Sequence, residues 1–312
     1  MPLQLDQEYA DMMKNHPFGI ALYQPLPQQL FHPGCCGYFD SFGQWNPIVE
    51  LDDTESLKKL GLAPVDDELQ KAPAETDIRW GPKISQRARA VKVGMSVEVD
   101  PMLATALPVS ASAVYSFSTD TDSGAILLTI PPVVHDRYYY ESPFKNWVKH
   151  NAVTLLKRRP EIKDYGLWII TSTYTTKKCA INLWKKSGKA LKVAFSAKVV
   201  GIGECGPSGE WSKDQNEQGW SEFGSKDASD SRVVFFGGLK FQCNKLIGKT
   251  LKSRQVAPKQ FRGHDPVDED LSKEPEVIST IQTANGEDDE GYEITCEEYL
   301  EEIDGNDGEE SW

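Results

Sequence analysis

Residues 89–118 read RAVKVGMSVEVDPMLATALPVSASAVYSFS, and the alternation in this stretch decides how the rest of the chain is read. From Arg89 to Asp100, Val91, Val93, Met95, Val97 and Val99 fall on one face, and Lys92, Gly94, Ser96 and Glu98 fall on the other. A period of two belongs to a strand, whose successive side chains point to opposite faces. Val109 to Ser118 repeats the pattern, with Val109, Ala111, Ala113, Tyr115 and Phe117 opposite a mostly serine face. The connection between them is bounded by Pro101 and Pro108 yet is more apolar than a surface loop normally is. Asp120 to Gly124 then turns the chain into a third strand, Ala125 to Ile130.

Working outward, Ser142-Pro143 predicts a helix start, with a capping hydroxyl and a proline in the first turn. Phe144, Trp147, Val148, Ala152, Leu155 and Leu156 follow at helical spacing, while Lys145, Lys149, His150, Lys157, Arg158 and Arg159 make the remaining face and the C-terminal end basic. Leu167 to Trp184 reads as one long apolar and Thr-rich strand. A basic turn with Lys185, Lys186 and Lys189 leads from it into Leu191, Val193, Phe195, Ala197 and Val199, which alternate again as a second long hairpin. A Gly-rich loop carrying Trp211 and Trp220 precedes a last strand, Arg232 to Gln242. Upstream, Leu5 to His16 predicts a short helix, Pro17 to Pro47 turns with short strands, and Ser56 to Leu60 a helical turn.

The 312 residues are 39% hydrophobic and 26% charged, as in a soluble globular protein. No run approaches the roughly 18 apolar residues of a membrane-crossing helix, and the opening MPLQLDQEYADMMKNH is too polar for a secretory signal. The expected address is the cytoplasm. Cys35, Cys36, Cys179, Cys205, Cys243 and Cys296 show no C-x-x-C spacing and are expected to be reduced thiols. The net charge of −13 is unevenly spread: residues 265–312 hold 19 acids against one Lys, whereas residues 1–264 hold 33 Lys and Arg against 28 acids, a charge of +5. A basic body with an acidic extension suits an anionic surface, either lipid or nucleic acid, for which the extension competes. Within the tail, Tyr292, Cys296, Tyr299, Leu300 and Ile303 fall at i, i+4, i+7, i+8 and i+11, which predicts a short amphipathic helix.

Catalytic patterns are lacking. The five histidines are scattered without H-E-x-x-H spacing or a His/Cys cluster, so no metal site is expected. Gly201 to Gly206 matches G-x-G-x-x-G, but Pro207-Ser208-Gly209 follows where a phosphate-binding helix would have to begin. No G-x-S-x-G elbow occurs, and neither an enzyme nor a cofactor is expected. Alternating strands alone fit any half-buried sheet. Two hairpins with long Ser, Thr, Gly and Lys faces, separated by a basic helix, also fit membrane-inserting strands of ~9 to 11 residues, which need a closed multi-copy barrel to satisfy their edges.

Four stretches together resemble the pore-forming domain of gasdermins over most of residues 75–245. They are Trp80-Gly81-Pro82 before the Val91 to Val99 run; Ser116-Phe117-Ser118; Phe144 to Arg159 running into Asp164-Tyr165-Gly166-Leu167-Trp168-Ile169-Ile170-Thr171; and Val233-Val234-Phe235-Phe236. The resemblance implies an α+β fold, a twisted, mainly antiparallel sheet flanked by helices, that assembles on membranes into a ring-shaped pore. It places the inserting regions at Arg89 to Ser118 and Leu167 to Val200. It also assigns anionic-lipid contacts to Lys145, Lys149, Lys157, Arg158 and Arg159, joined by Lys185, Lys186 and Lys189 of the basic turn. The short tail is most similar to that of fungal gasdermin-like cell-death proteins, in which its proteolytic removal releases activity. Asp6, Glu8 and Asp11 make the first helix acidic where the family's is usually basic.

The expected organisation is a pore-forming body (1–251), a protease-accessible linker (252–276) and an autoinhibitory tail (277–312). Candidate cleavage residues are Arg254, Phe261, Arg262, Asp265, Asp268 and Asp270. Expected partners are anionic lipids, an activating protease and further copies of the chain, with the protein moving from cytoplasm to plasma or another membrane. The alternative is a β-rich module that binds nucleic acid or a protein and carries an acidic decoy.

Overall fold

The computed structural model describes residues 2–66, 68–94, 111–185, 191–196, 211–213, 219–224, 230–247, 250–251, 275–285 and 288–299. Its centre is an antiparallel strand pair, β10 (Leu167–Thr176) and β15 (Arg232–Ile247). Every position of β10 is buried, which explains its continuous apolar and threonine composition, since both of its faces are covered. Leu167 and Ile169 face one core cluster, while Trp168 and Ile170 face another that contains Phe31, Phe39 and Phe236.

Around this pair the sheet runs in the order β17 (Glu276–Asn285), β18 (Asp288–Tyr299), β15, β10, β2 (Cys35–Phe39), β3 (Trp45–Glu50). β1 (Ile20–Pro27) and β16 (Thr250–Leu251) also pair with β15, β9 (Val133–Arg137) pairs with β10, and β4 (Glu75–Ile78) pairs with β9. All strand pairs among the described residues are antiparallel. The molecule is an α+β fold.

Among the described residues four helices flank the sheets: α1 (Pro2–Met12), α2 (Thr54–Lys59), α3 (Ser142–Arg158) and α4 (Ile162–Tyr165). The predicted stripe of α3 is buried as expected, against Leu57, Leu62, Leu167, Ile169, Leu239 and Phe241. Asn151 is buried with it, because its Oδ1 accepts from the Ala63 amide at 2.7 Å. The helix begins at its expected cap: Ser142 lies inside the first turn, and Glu141, one residue earlier at the cap position, makes no side-chain capping bond. Tyr9 and Met13 at the end of α1 share a cluster with Ala125, Leu127, Cys179, Ile181 and Phe235. No helix among the described residues is long and apolar enough to cross a membrane.

Two further sheets are sections of one ribbon. One has the order β14 (Trp220–Gly224), β11 (Lys178–Lys185), β8 (Ser123–Thr129), β5 (Lys83–Ile84); the other has the order β13 (Trp211–Lys213), β12 (Leu191–Ser196), β7 (Ala111–Thr119), β6 (Ala88–Gly94). Each strand of the first section is the chain neighbour of the strand at the same place in the second: β5 with β6, β7 with β8, β11 with β12, β13 with β14. The chain therefore makes four antiparallel passes, and both sections keep them in the same order.

Two expectations are corrected here. Leu167 to Trp184 is not one strand: Lys177 and Lys178 are both exposed, and two consecutive exposed lysines interrupt a run buried on both faces. The chain changes sheet there, from β10 to β11. Trp211 and Trp220 lie in strands, not in a loop, each pairing with the third pass of the ribbon.

Candidate functional site

Two regions carry the residues singled out in the sequence: the ribbon, and the place where the acidic tail meets α3 and β15. The predicted tail helix is a β-hairpin. β18 pairs with β15 from Gly238↔Tyr299 to Leu246↔Gly291, and β17 pairs with β18. Spacing by four places Tyr292 and Cys296 on one face of either a helix or a strand. The deciding residue is Ile294 between them, which the helical stripe omits and the strand buries beside Cys296 in the α3 cluster. Ile278 and Ile281 of β17 pack against the same cluster. Tyr299, of opposite parity, packs its ring at a tilt of 45° against Trp168, with ring centroids 5.0 Å apart. Leu300 and Ile303 lie outside the described residues.

The tail also binds the body through charge. The Lys145 ammonium of α3 donates to Glu276 of β17 at 2.6 Å and to Glu298 of β18 at 2.5 Å. Burial disfavours that ammonium, but the two carboxylates outweigh burial and hold its pKa above the usual lysine value. Lys163 donates to the Tyr292 hydroxyl at 3.1 Å and lies over its ring at 4.6 Å. Lys240 of β15, buried and 5.8 Å from the Trp168 ring centroid, faces Glu297 in the ladder. Lys163, Glu276, Ile294 and Glu298 were not among the sequence candidates, because strand register brings the last three to this place and sets Tyr292 beside Lys163 of α4.

The basic residues divide. Lys149, Lys157, Arg158 and Arg159 are exposed on α3 and its C-terminal end, whereas Lys145 of the same helix is held by the tail. Lys185 lies apart from them at the end of β11, 2.9 Å from Glu8 of α1. Lys186 and Lys189 lie outside the described residues, as do the cleavage candidates Arg254, Phe261, Arg262, Asp265, Asp268 and Asp270.

In the ribbon, Phe117, Leu191 and Val193 face inward with Ile126, Leu128, Ala180 and Trp184, and Tyr115 packs against them. Val91 is on the other face, 59% exposed, because it pairs with Ser116, while Ala90 and Lys92 pair with Phe117 and Tyr115. The two faces expected to be apolar in the first hairpin therefore do not coincide at this register, and a bulge between Lys92 and Gly94 carries Val93. Leu167 and Ile169 belong to the central sheet, so the third pass of the ribbon begins at Lys178. Phe195 pairs with Ala113 and Trp211. Met95, Val97, Val99, Val109 and Val199 lie outside the described residues.

No family model matches the chain, and no curated protein sequence does. Among solved structures it is similar to a bacterial gasdermin from Bradyrhizobium tropiciagri, at 12% identity and a TM-score of 0.26, covering 69% of this chain and 79% of that one. It is also similar to the gasdermin A3 membrane pore seen by cryo-electron microscopy, at 11% identity and a TM-score of 0.24, covering 81% of this chain and 94% of the other.

Proposed function

We propose that this chain is an autoinhibited, membrane-permeabilising protein whose acidic tail hairpin is its restraint and whose four-pass ribbon is its inserting element. The observation that carries the reading is the joint arrangement of the two. A basic body carries a ribbon of alternating strands, and an acidic hairpin covers the edge of β15 while holding Lys145. Cutting the chain between β16 and β17 turns an intramolecular contact into one that dilution separates. Loss of the tail uncovers the β15 edge, frees Lys145 and leaves a body of charge +5. Attraction to an anionic leaflet contributes about 1 kcal/mol for each basic residue that reaches it. Lys149, Lys157, Arg158 and Arg159 are the exposed residues in position to do so. In lipid the ribbon's edges are satisfied only by neighbouring copies, so insertion requires a closed oligomeric barrel. The biological outcome on this reading is lysis of the cell whose membrane is breached.

The test is release of a trapped dye from anionic and neutral liposomes, using the full chain with a specific protease site placed within residues 252–274. Leakage confined to anionic vesicles and to the cut protein is the expected result. Changing Lys149, Lys157, Arg158 and Arg159 together to Gln should abolish that leakage while leaving the circular dichroism spectrum intact. A cut protein that sheds its tail, stays folded and leaves every vesicle sealed overturns the proposal; salt-sensitive retention on nucleic acid would then identify the body as a binding module.

A further inference from the structure

A tight turn and one ladder register bring three metal-ligating side chains of different chemistry to a single point. His32 and Cys35 stand on either side of a turn closed by the Cys35 amide, which donates to the His32 carbonyl at 3.0 Å. Gly34 gives the turn its left-handed residue, at φ +96°. The Gly34 amide donates to the Ile170 carbonyl of β10 at 2.8 Å, and its carbonyl accepts from Leu51 at 3.0 Å. The turn is thus tied to both sides of its surroundings. Cys35 is in addition the ladder partner of Glu50 on β3, and directly paired residues place their side chains on one face. As a result a His32 ring nitrogen, the Cys35 sulfur and a Glu50 carboxylate oxygen all lie within 4.8 Å of one another, with His32 Nε2 3.4 Å from Glu50 Oε1.

We propose that His32, Cys35 and Glu50 form a binding site for one divalent transition-metal cation of the zinc class. Imidazole, thiolate and carboxylate are the donors such a borderline ion takes, and three protein ligands with water in the fourth position complete a tetrahedral shell. The thiolate and carboxylate together neutralise a charge of two, so the loaded site adds no net charge to the sheet edge. The His32 ring is already turned toward the other two ligands, because its Nδ1 donates to the Pro33 carbonyl at 3.0 Å and this aims Nε2 at Glu50. Cys35, 3% exposed, forms the floor, while the 51% exposed Glu50 side chain leaves a side open to solvent. A bound cation would fasten the end of the outer strand β3 to the turn before β2, at the opposite end of the strand order from β17. The inference therefore stands apart from the membrane reading.

Anaerobic titration of the reduced full chain with Co2+ tests it. The expected result is saturation at one equivalent, with a thiolate-to-cobalt absorption in the near ultraviolet, visible bands of a four-coordinate ion, and displacement by Zn2+. Cys35→Ser should remove the thiolate band, and His32→Ala and Glu50→Gln should each weaken binding roughly tenfold or more. Cys243→Ser, on β15, should change nothing. Because Cys35 is buried and its variant could fail to fold, a second readout uses the unaltered protein: Zn2+ should protect Cys35 from alkylation, and Glu50→Gln, a change at an exposed position, should lift that protection. A chain that binds no Co2+, or whose band and protection survive Glu50→Gln and His32→Ala, overturns the assignment.

Discussion

The central sheet and the ribbon section made of β6, β7, β12 and β13 are both antiparallel ladders, yet they differ in what lies on their second face, whereas β8 and β11 of the other ribbon section are covered on both. β10 is buried on both faces at every position, between the α3 cluster and the aromatic cluster of Phe31, Phe39 and Phe236. The ribbon section made of β6, β7, β12 and β13 buries one face through Phe117, Leu191 and Val193 and leaves Arg89 and Val91 exposed on the other. A sheet covered twice has no face to present elsewhere without losing its core, whereas a sheet covered once holds a second face in reserve. This difference is why the membrane reading rests on the ribbon and not on the long apolar run of β10.

The largest effect should come from the doubly covered side. Phe235 is fully buried and touches the rings of His16, Phe18 and Trp80, so Phe235→Ala should cost about 3–5 kcal/mol in chemical denaturation. A loss under about 1 kcal/mol would show that the centre is less tightly packed than the comparison requires.

A smaller, pH-dependent effect belongs to α1, which packs between the two regions. Burial raises the Asp6 carboxyl to about 6, and its Oδ1 has no hydrogen-bond partner. Burial, followed by the charge of Lys83, lowers His16 to about 4 despite its bond to the Ile84 carbonyl. The folded Asp6 holds its proton more tightly than the unfolded chain does, so the native protein gains stability as pH falls from about 6 toward 3.8. The folded His16 holds its proton less tightly, so stability present above 6.5 is lost as pH falls toward about 4. The two trends oppose each other. Asp6→Asn should stabilise by about 2 kcal/mol at pH 7, and the variant should lose stability on acidification to pH 4 more steeply than the native chain. Parallel curves for the two proteins would remove Asp6 from this account.

The smallest effect should lie on the ribbon's open face, where Val91→Ser should change stability by under about 0.5 kcal/mol. If the open face is the one that meets lipid, the same substitution should still reduce dye release by the cut protein. Unchanged release would assign membrane contact to the opposite face.

The elements with a long, unambiguous period were legible: the strands over 89–94 and 111–118, the described parts of the two alternating runs, and the α3 stripe from Phe144 to Leu156. What was hidden depended on partners distant in sequence. Tyr292 and Cys296 satisfy both periods, and only pairing with β15 separates strand from helix. Lys177 and Lys178 stand inside an otherwise apolar run, and only the change of sheet from β10 to β11 makes them a break. Glu50 meets His32 and Cys35 only through the β2–β3 ladder. Lys145 read as one of a set of exposed basic residues, and the position of the tail sets it apart.

The alignment of the ribbon's interruptions has a mechanical meaning. The two passes whose breaks are described are interrupted side by side, between β5 and β6 and between β7 and β8, so the two breaks form a crease across paired strands. On the membrane reading, a shared crease would let these two passes straighten together, with their lateral hydrogen bonds kept in order. At about 3.3 Å per residue, the chain from 111 to 129 would then reach roughly 60 Å, about twice the thickness of a bilayer's hydrocarbon layer.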